Sequence, residues 1–332
     1  MNCDISDLTC HSTGYTLSKR EWAEISEGNM TDDHESVESN SLMGRLDVAR
    51  HRPVRAADLA SGWFDQTVRV RLGGAAHLSR SPELANHFRR SFGGALGAGA
   101  SPEASDGLPC PWEPPCALDV FFREQMRVDG DGLPKPFVTL ADRDGADLIA
   151  GLRVFGFATE WLPAVEQAFV DALRHRLPWR KLGAAPPPIL DRQVETRHGF
   201  EAGPMPEAAT LRWITPFDAE KIDAGEKTGS ILTRLHRRLR GLARWHDADL
   251  PELNAKTVAR WEAVTDARDI GAPKILASRS GLQRRTFHAR AVQGRITLRG
   301  DLSPFWPLLL MGERCAVGRG AARGMGRYRL TW

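Results

Sequence analysis

GRITLRGDLSPFWPLLLMGERCAVGRGAARGMGRYRLTW, residues 294–332, carries the order of elements that decides the fold. Ile296 and Leu298 alternate with Arg295 and Arg299, so this opening predicts a strand with one buried face. Ser303 and Pro304 start a short helix over 305–311, because proline presets the first-turn backbone and forfeits no helical hydrogen bond there. A loop follows, with five glycines (Gly312, Gly318, Gly320, Gly324 and Gly326) among Arg314, Arg319, Arg323 and Arg327. YRLTW, from Tyr328, predicts the final strand. Strand, helix, loop and strand in that order form the second half of a βαββαβ unit.

Working outward, TLRWI (210–214) predicts the first strand of that unit. The stretch 229–246, GSILTRLHRRLRGLARWH, predicts its long helix, burying Ile231, Leu235, Leu239 and Leu242. An insertion with a further helix near 253–266 separates the halves. An earlier copy of the pattern opens with TVRVRL, where Val68, Val70 and Leu72 alternate with Arg69 and Arg71. A helix capped by Ser81 follows, with Leu84, Phe88, Phe92 and Leu96 at four-residue spacing. After a Gly/Ser/Pro-rich insertion (97–115) come strands near 137–140 and 148–155, a helix over 159–176 and a strand near 193–197. The expected fold class is α+β, with two tandem ferredoxin-like (RRM-like) βαββαβ domains carrying insertions. Residues 61–203 form the N-terminal domain and 204–332 the C-terminal domain with the glycine-rich loop. Residues 1–60 form an acidic tail, expected to be disordered, with ordered structure starting near Trp63.

A chain of 332 residues can bury two cores, and 42% apolar with 26% charged residues is ordinary for a globular protein. No apolar run approaches the length of a membrane span, and the N-terminus lacks a secretory signal pattern, so a cytoplasmic location is expected. The five cysteines form no CxxC pair, so no zinc site is expected, and a disulfide framework is not expected at this size; no cofactor is expected either. The net charge of +3 hides an asymmetry. Residues 1–50 hold 10 acidic and 4 basic side chains, whereas residues 278–332 hold 11 arginines against Asp301 and Glu313. Arginine at this density suits a polyanion, because its planar fork donates two hydrogen bonds to a phosphate.

Four constellations could carry chemistry. The glycine loop is not a P-loop, since GxxxxGK[ST] is absent. Gly318, Gly320, Gly324 and Gly326 nevertheless permit close backbone approach, with Arg319, Arg323 and Arg327 supplying charge. The bland alternative is a flexible surface loop. On the 229–246 helix, Arg234, Arg237, Arg238 and Arg244 fall near one face, beside His236; they read as RNA contacts or as a solvated face. SRSGLQRRTFHARAVQG (278–294) brings Arg284, Arg285 and His288 together before a strand. If His288 is catalytic rather than structural, the arginines would stabilise a charged transition state. The first helix offers His87 with Arg89 and Arg90, as a general base or as exposed polar residues.

The tail GDLSPFWPLLLMGERCAVGRGAARGMGRY (300–328) resembles the C-terminal domain of the CRISPR-associated RAMP endoribonucleases that process precursor CRISPR RNA. SFGGALGAGA, CPWEPPC, LRVFGFATEWLPAVEQAF, TLRWITPFDAEK and ILTRLHRRLRGLARWHD resemble further segments in the same order, so the resemblance spans about 67–332. It implies metal-independent cleavage of a CRISPR repeat RNA stem-loop by the RNA's own 2′-hydroxyl; whether the mature RNA is then retained or released stays open. The implied catalytic choices are His288, His236 and His87 with Arg284 and Arg285. The chain departs from the family pattern: no histidine lies between His87 and His175, and Ala316 and Arg319 stand where related tails often carry histidine and lysine. The alternatives are a non-catalytic RAMP subunit that holds CRISPR RNA among other effector subunits, and a basic DNA-binding regulatory domain.

Overall fold

The computed structural model describes residues 41–128, 131–201, 203, 205–218, 229–271, 274–279, 286–318 and 320–332. Two short helices, α1 (Leu42–Leu46) and α2 (Ala56–Ser61), precede the first sheet. They bury Leu42, Leu46, Leu59 and Ala60, so packed structure starts upstream of the expected Trp63. Acidic composition had masked four apolar side chains that reach the core.

The first unit is β1 (Phe64–Leu72), α3 (Leu84–Leu96), β2 (Phe137–Asp144), β3 (Asp147–Phe155), α4 (Leu162–Arg174) and β4 (Ile189–His198). Its strands lie in the order β2-β3-β1-β4, every neighbour antiparallel. Register pairs Val68 with Leu152 and Val70 with Ala150, so apolar residues share one face and drive its burial. Leu84, Phe88, Phe92 and Leu96 are buried along α3, as their spacing predicts. Phe92 is the hub of this core, edge-on to Phe121, Phe137 and Phe169 within 6.2 Å. The helix expected from residue 159 begins instead as a 3-10 turn over Gly156–Trp161.

The second unit repeats the plan as β5 (Ala208–Trp213), β6 (Phe217–Asp218), α5 (Gly229–Ala243), α6 (Ala255–Glu262), β7 (Thr265–Ile270), β8 (Lys274–Arg279), β9 (Thr286–Val292), β10 (Gly294–Arg299), α7 (Trp306–Cys315) and β11 (Tyr328–Thr331). Its four-stranded sheet runs β7-β10-β5-β11, the same order as the first. Two sheets with one strand order establish tandem ferredoxin-like units. β8 and β9 form an antiparallel hairpin that adds to β6. Neither β7 nor this hairpin was separated from the predicted insertion, because TDARDI and KILASR carry little apolar alternation. No helix among the described residues is long and apolar enough to cross a membrane.

Candidate nucleic-acid interface

The last turn of α7 and the α7–β11 loop together fasten the two units. Asp65 of β1 is fully buried and accepts from Trp63 Nε1 at 2.9 Å and from Arg314 Nη2 at 2.6 Å. Arg153 of β3 completes the cluster, donating to Thr67 Oγ1 at 3.1 Å and to the Arg314 carbonyl at 2.7 Å. Burial, with Arg314 close by, lowers the Arg153 guanidinium to about 9, so it stays charged at neutral pH. Arg327 forks onto Asp142 with two contacts of 2.8 Å, and Thr139 donates to the Ala322 carbonyl at 2.9 Å. The glycines serve this packing. At Gly324, φ is +80° and an added Cβ would lie 2.3 Å from the Ala85 Cβ. At Gly326, φ is +72° and it would lie 2.0 Å from the Val317 carbonyl oxygen. The loop is therefore buried mortar between units: Gly320, Gly324 and Gly326 are buried, and Gly318 is half-buried.

Beside the loop, the units enclose an open cleft of about 590 Å³. Arg80, Ser81 and Arg143 line it from the first unit, and Thr215, Gln293 and Gly324 from the second. Ala291 and Val292 at the end of β9 also line it, so the β8–β9 hairpin is rooted in the cleft wall. Arg80 and Arg143 are exposed in its lining, and Asp142, which also lines it, is held by Arg327. Arg323 precedes the lining residue Gly324, and Arg89 on α3 lies close enough to Arg323 for mutual repulsion. Burial first, then Arg323 and Arg90, lower Arg89 to about 10, which leaves it charged. A cleft edged by fixed positive charge concentrates a polyanion.

The residues singled out in the sequence fall at scattered depths. His288 sits in β9 opposite Ala277 on the cleft-rooted hairpin. Arg284 and Arg285, on the segment joining β8 to β9, and Arg319 in the loop lie outside the described residues. Arg237 is exposed and Arg234 half-buried, whereas Arg238 and Arg244 are buried, so these four do not form one basic face. The Arg238 Nε donates to the Cys315 carbonyl at 2.8 Å and ties α5 to α7. His236 is buried with Nε2 at 3.0 Å from the Pro251 carbonyl, and burial lowers its pKa. His87 is buried with Nδ1 at 3.2 Å from the Pro178 carbonyl. These two histidines and Arg238 face packed protein instead of a bound strand, because helical spacing marks a face without showing what covers it. The sequence reading missed Arg80 and Arg143, which belong to no motif; their approach to residues 214–216 and 291–293 is a tertiary product.

Residues 215–328 match the family model described as "CRISPR-associated endoribonuclease Cas6". That stretch holds one cleft wall, the hairpin and the mortar loop, and it bears out the resemblance seen in the tail. No curated protein matches the chain in sequence. Among solved structures, a Cas6 product complex is 17% identical with a TM-score of 0.48, covering 81% of this chain and 99% of its own. A Thermus thermophilus Cas6 is 17% identical at 0.45, over the same shares. A structure titled "Csf5, CRISPR-Cas type IV Cas6 crRNA endonuclease" is 13% identical at 0.44, covering 81% of this chain and 100% of its own. The tandem fold rests on the strand orders given above.

Proposed function

We propose that this chain is a Cas6-type endoribonuclease that cuts precursor CRISPR RNA within its repeats. The observation that carries this reading is the Cas6-like segment 215–328, which supplies the cleft wall and the hairpin bearing His288. In the proposed reaction a base removes the proton of a 2′-hydroxyl, and that oxygen attacks the adjacent phosphorus. The bond from phosphorus to the 5′-oxygen breaks, and an acid protonates the leaving oxygen. The products are a 2′,3′-cyclic phosphate and a 5′-hydroxyl. His288 is the proposed base. Arg284 and Arg285 would offset the charge that builds on the phosphoryl oxygens. Arg80, Arg143, Arg319 and Arg323 would hold the backbone at the cleft, with Arg234 and Arg237 further along.

The test is incubation of the purified protein with a CRISPR repeat hairpin RNA in EDTA. One cut per repeat is expected, abolished by a 2′-deoxy group at the cut site. His288→Ala should slow single-turnover cleavage by about 10²-fold or more, the usual contribution of a general base. An unchanged rate removes His288 from the mechanism. A second reading, a non-catalytic subunit that binds CRISPR RNA beside other effector subunits, is favoured by one observation. Among the described residues, no histidine lines the cleft. Tight RNA binding without any cut would select it, and preference for duplex DNA would overturn both readings.

A further inference from the structure

The sheet of the second unit turns one face to its helices and the other to solvent. Leu211, Trp213, Ile296, Leu298, Tyr328 and Leu330 are buried on the inner face. On the outer face, register sets Arg295, Arg212 and Arg329 side by side across β10, β5 and β11, and all three are exposed. The next row is Thr297, Thr210 and Thr331, with the first two hydroxyls 2.9 Å apart. Asp269 stands at the β7 end of the arginine row, 3.1 Å from the Arg295 Nε, and both side chains are more than half exposed. Arg212 and Arg329 have no carboxylate partner among the described residues.

The first unit handles the same problem differently. On its corresponding face Arg69 meets Glu195 at 2.8 Å, Arg71 meets Asp144 at 2.5 Å, and Arg153 joins the Asp65 cluster. Like charges directly opposite on neighbouring strands destabilise a sheet. With Asp269 on Arg295 alone, Arg212 and Arg329 stand opposite each other without a carboxylate, a local cost to the free protein that a bound polyanion would reverse. These two rows contain arginine, threonine and Asp269 but no aromatic ring, so they offer phosphate contacts without base stacking. The rows also continue into the cleft. Two residues beyond Arg212, Ile214 lines it, and two residues before Arg295, Gln293 lines it.

We propose that the row Arg295–Arg212–Arg329 is a second RNA site, a platform that grips the phosphates of the strand flanking the cleft whatever its base sequence. The choice of RNA over another polyanion rests on the endoribonuclease reading. The test compares the full chain with a triple variant, Arg212→Gln, Arg295→Gln and Arg329→Gln, by fluorescence anisotropy over a salt series. The probes are oligouridine and a CRISPR repeat hairpin RNA. At about 0.7 counterions released per single-strand phosphate, losing three contacts should lower the slope of log K against log salt by about 2, and weaken oligouridine binding at least about tenfold. The melting temperature of the variant should stay level or rise, since like-charge repulsion is relieved. An unchanged slope and affinity would overturn the platform, as would an affinity loss accompanied by a lower melting temperature. Cleavage is a separate readout. A parent that binds but never cuts refutes the nuclease and leaves the platform standing, whereas a cutting parent with an unaffected variant does the reverse.

Discussion

Replacing Asp65 with alanine tests whether the loop–sheet cluster holds the two units together. The carboxylate is fully buried, accepts from Trp63 and Arg314, and lies 3.6 Å from the Arg153 Nε. Its removal leaves the Arg314 and Arg153 guanidiniums near each other with only the more distant Asp142, already forked by Arg327, as an anion, and leaves the Trp63 N–H without its acceptor. Deleting one partner of a buried ion pair costs about 3–5 kcal/mol. We expect about 4 kcal/mol for Asp65→Ala, a large share of the roughly 5–15 kcal/mol that holds a domain folded. Asp65→Asn keeps an acceptor for Trp63 and should fall between alanine and the parent. Adding Arg314→Met to Asp65→Ala removes one stranded cation and should recover about 0.5–3 kcal/mol, the range of coupling between contacting residues. Urea unfolding followed by tryptophan fluorescence reads all three. A loss below about 1 kcal/mol for Asp65→Ala would place the pair among solvent-screened surface contacts and refute the mortar role.

Three further outcomes follow from the same packing. Gly324→Ala should destabilise by about 2–3 kcal/mol, since it meets both a left-handed backbone and the Ala85 Cβ; a melting temperature equal to the parent's would refute the close approach. Ala316→Gly should raise stability by about 1 kcal/mol, because Ala316 sits at φ 61° and ψ 172°, a region suited to glycine, and a lower melting temperature would refute the strain. His246, stacked on Trp63 at 4.5 Å, is held by burial at a pKa of about 4. Its folded pKa lies below the unfolded value of about 6.5, so its contribution is complete above that pH and is lost as pH falls towards 4, by about 3 kcal/mol in all. His246→Phe should flatten that part of the pH–stability profile, and an unchanged slope would refute the assignment.

The residues themselves determined the strands TVRVRL and GRITLRG, the apolar stripe of α3 and the order βαββαβ in both halves. These follow from local periodicity, which sums over neighbours in the chain. The resemblance of the tail rests on the order of its segments, short helix, glycine-rich loop and terminal strand, which is also local to the chain. What each loop residue does was not legible. Arg314 and Arg327 look like phosphate ligands in sequence, yet Asp65 and Asp142 occupy them, from positions 249 and 185 residues away. Arg238 and His236 share a helix with the exposed Arg237, and only α7 and the Pro251 carbonyl packed against that helix settle their burial. The arginine row depends on strand register, which joins residues 212, 295 and 329 across one sheet. Charge density is a property of composition and can be read along the chain. Whether a charge is neutralised depends on which carboxylate the fold brings within about 4 Å, and only the tertiary structure decides that.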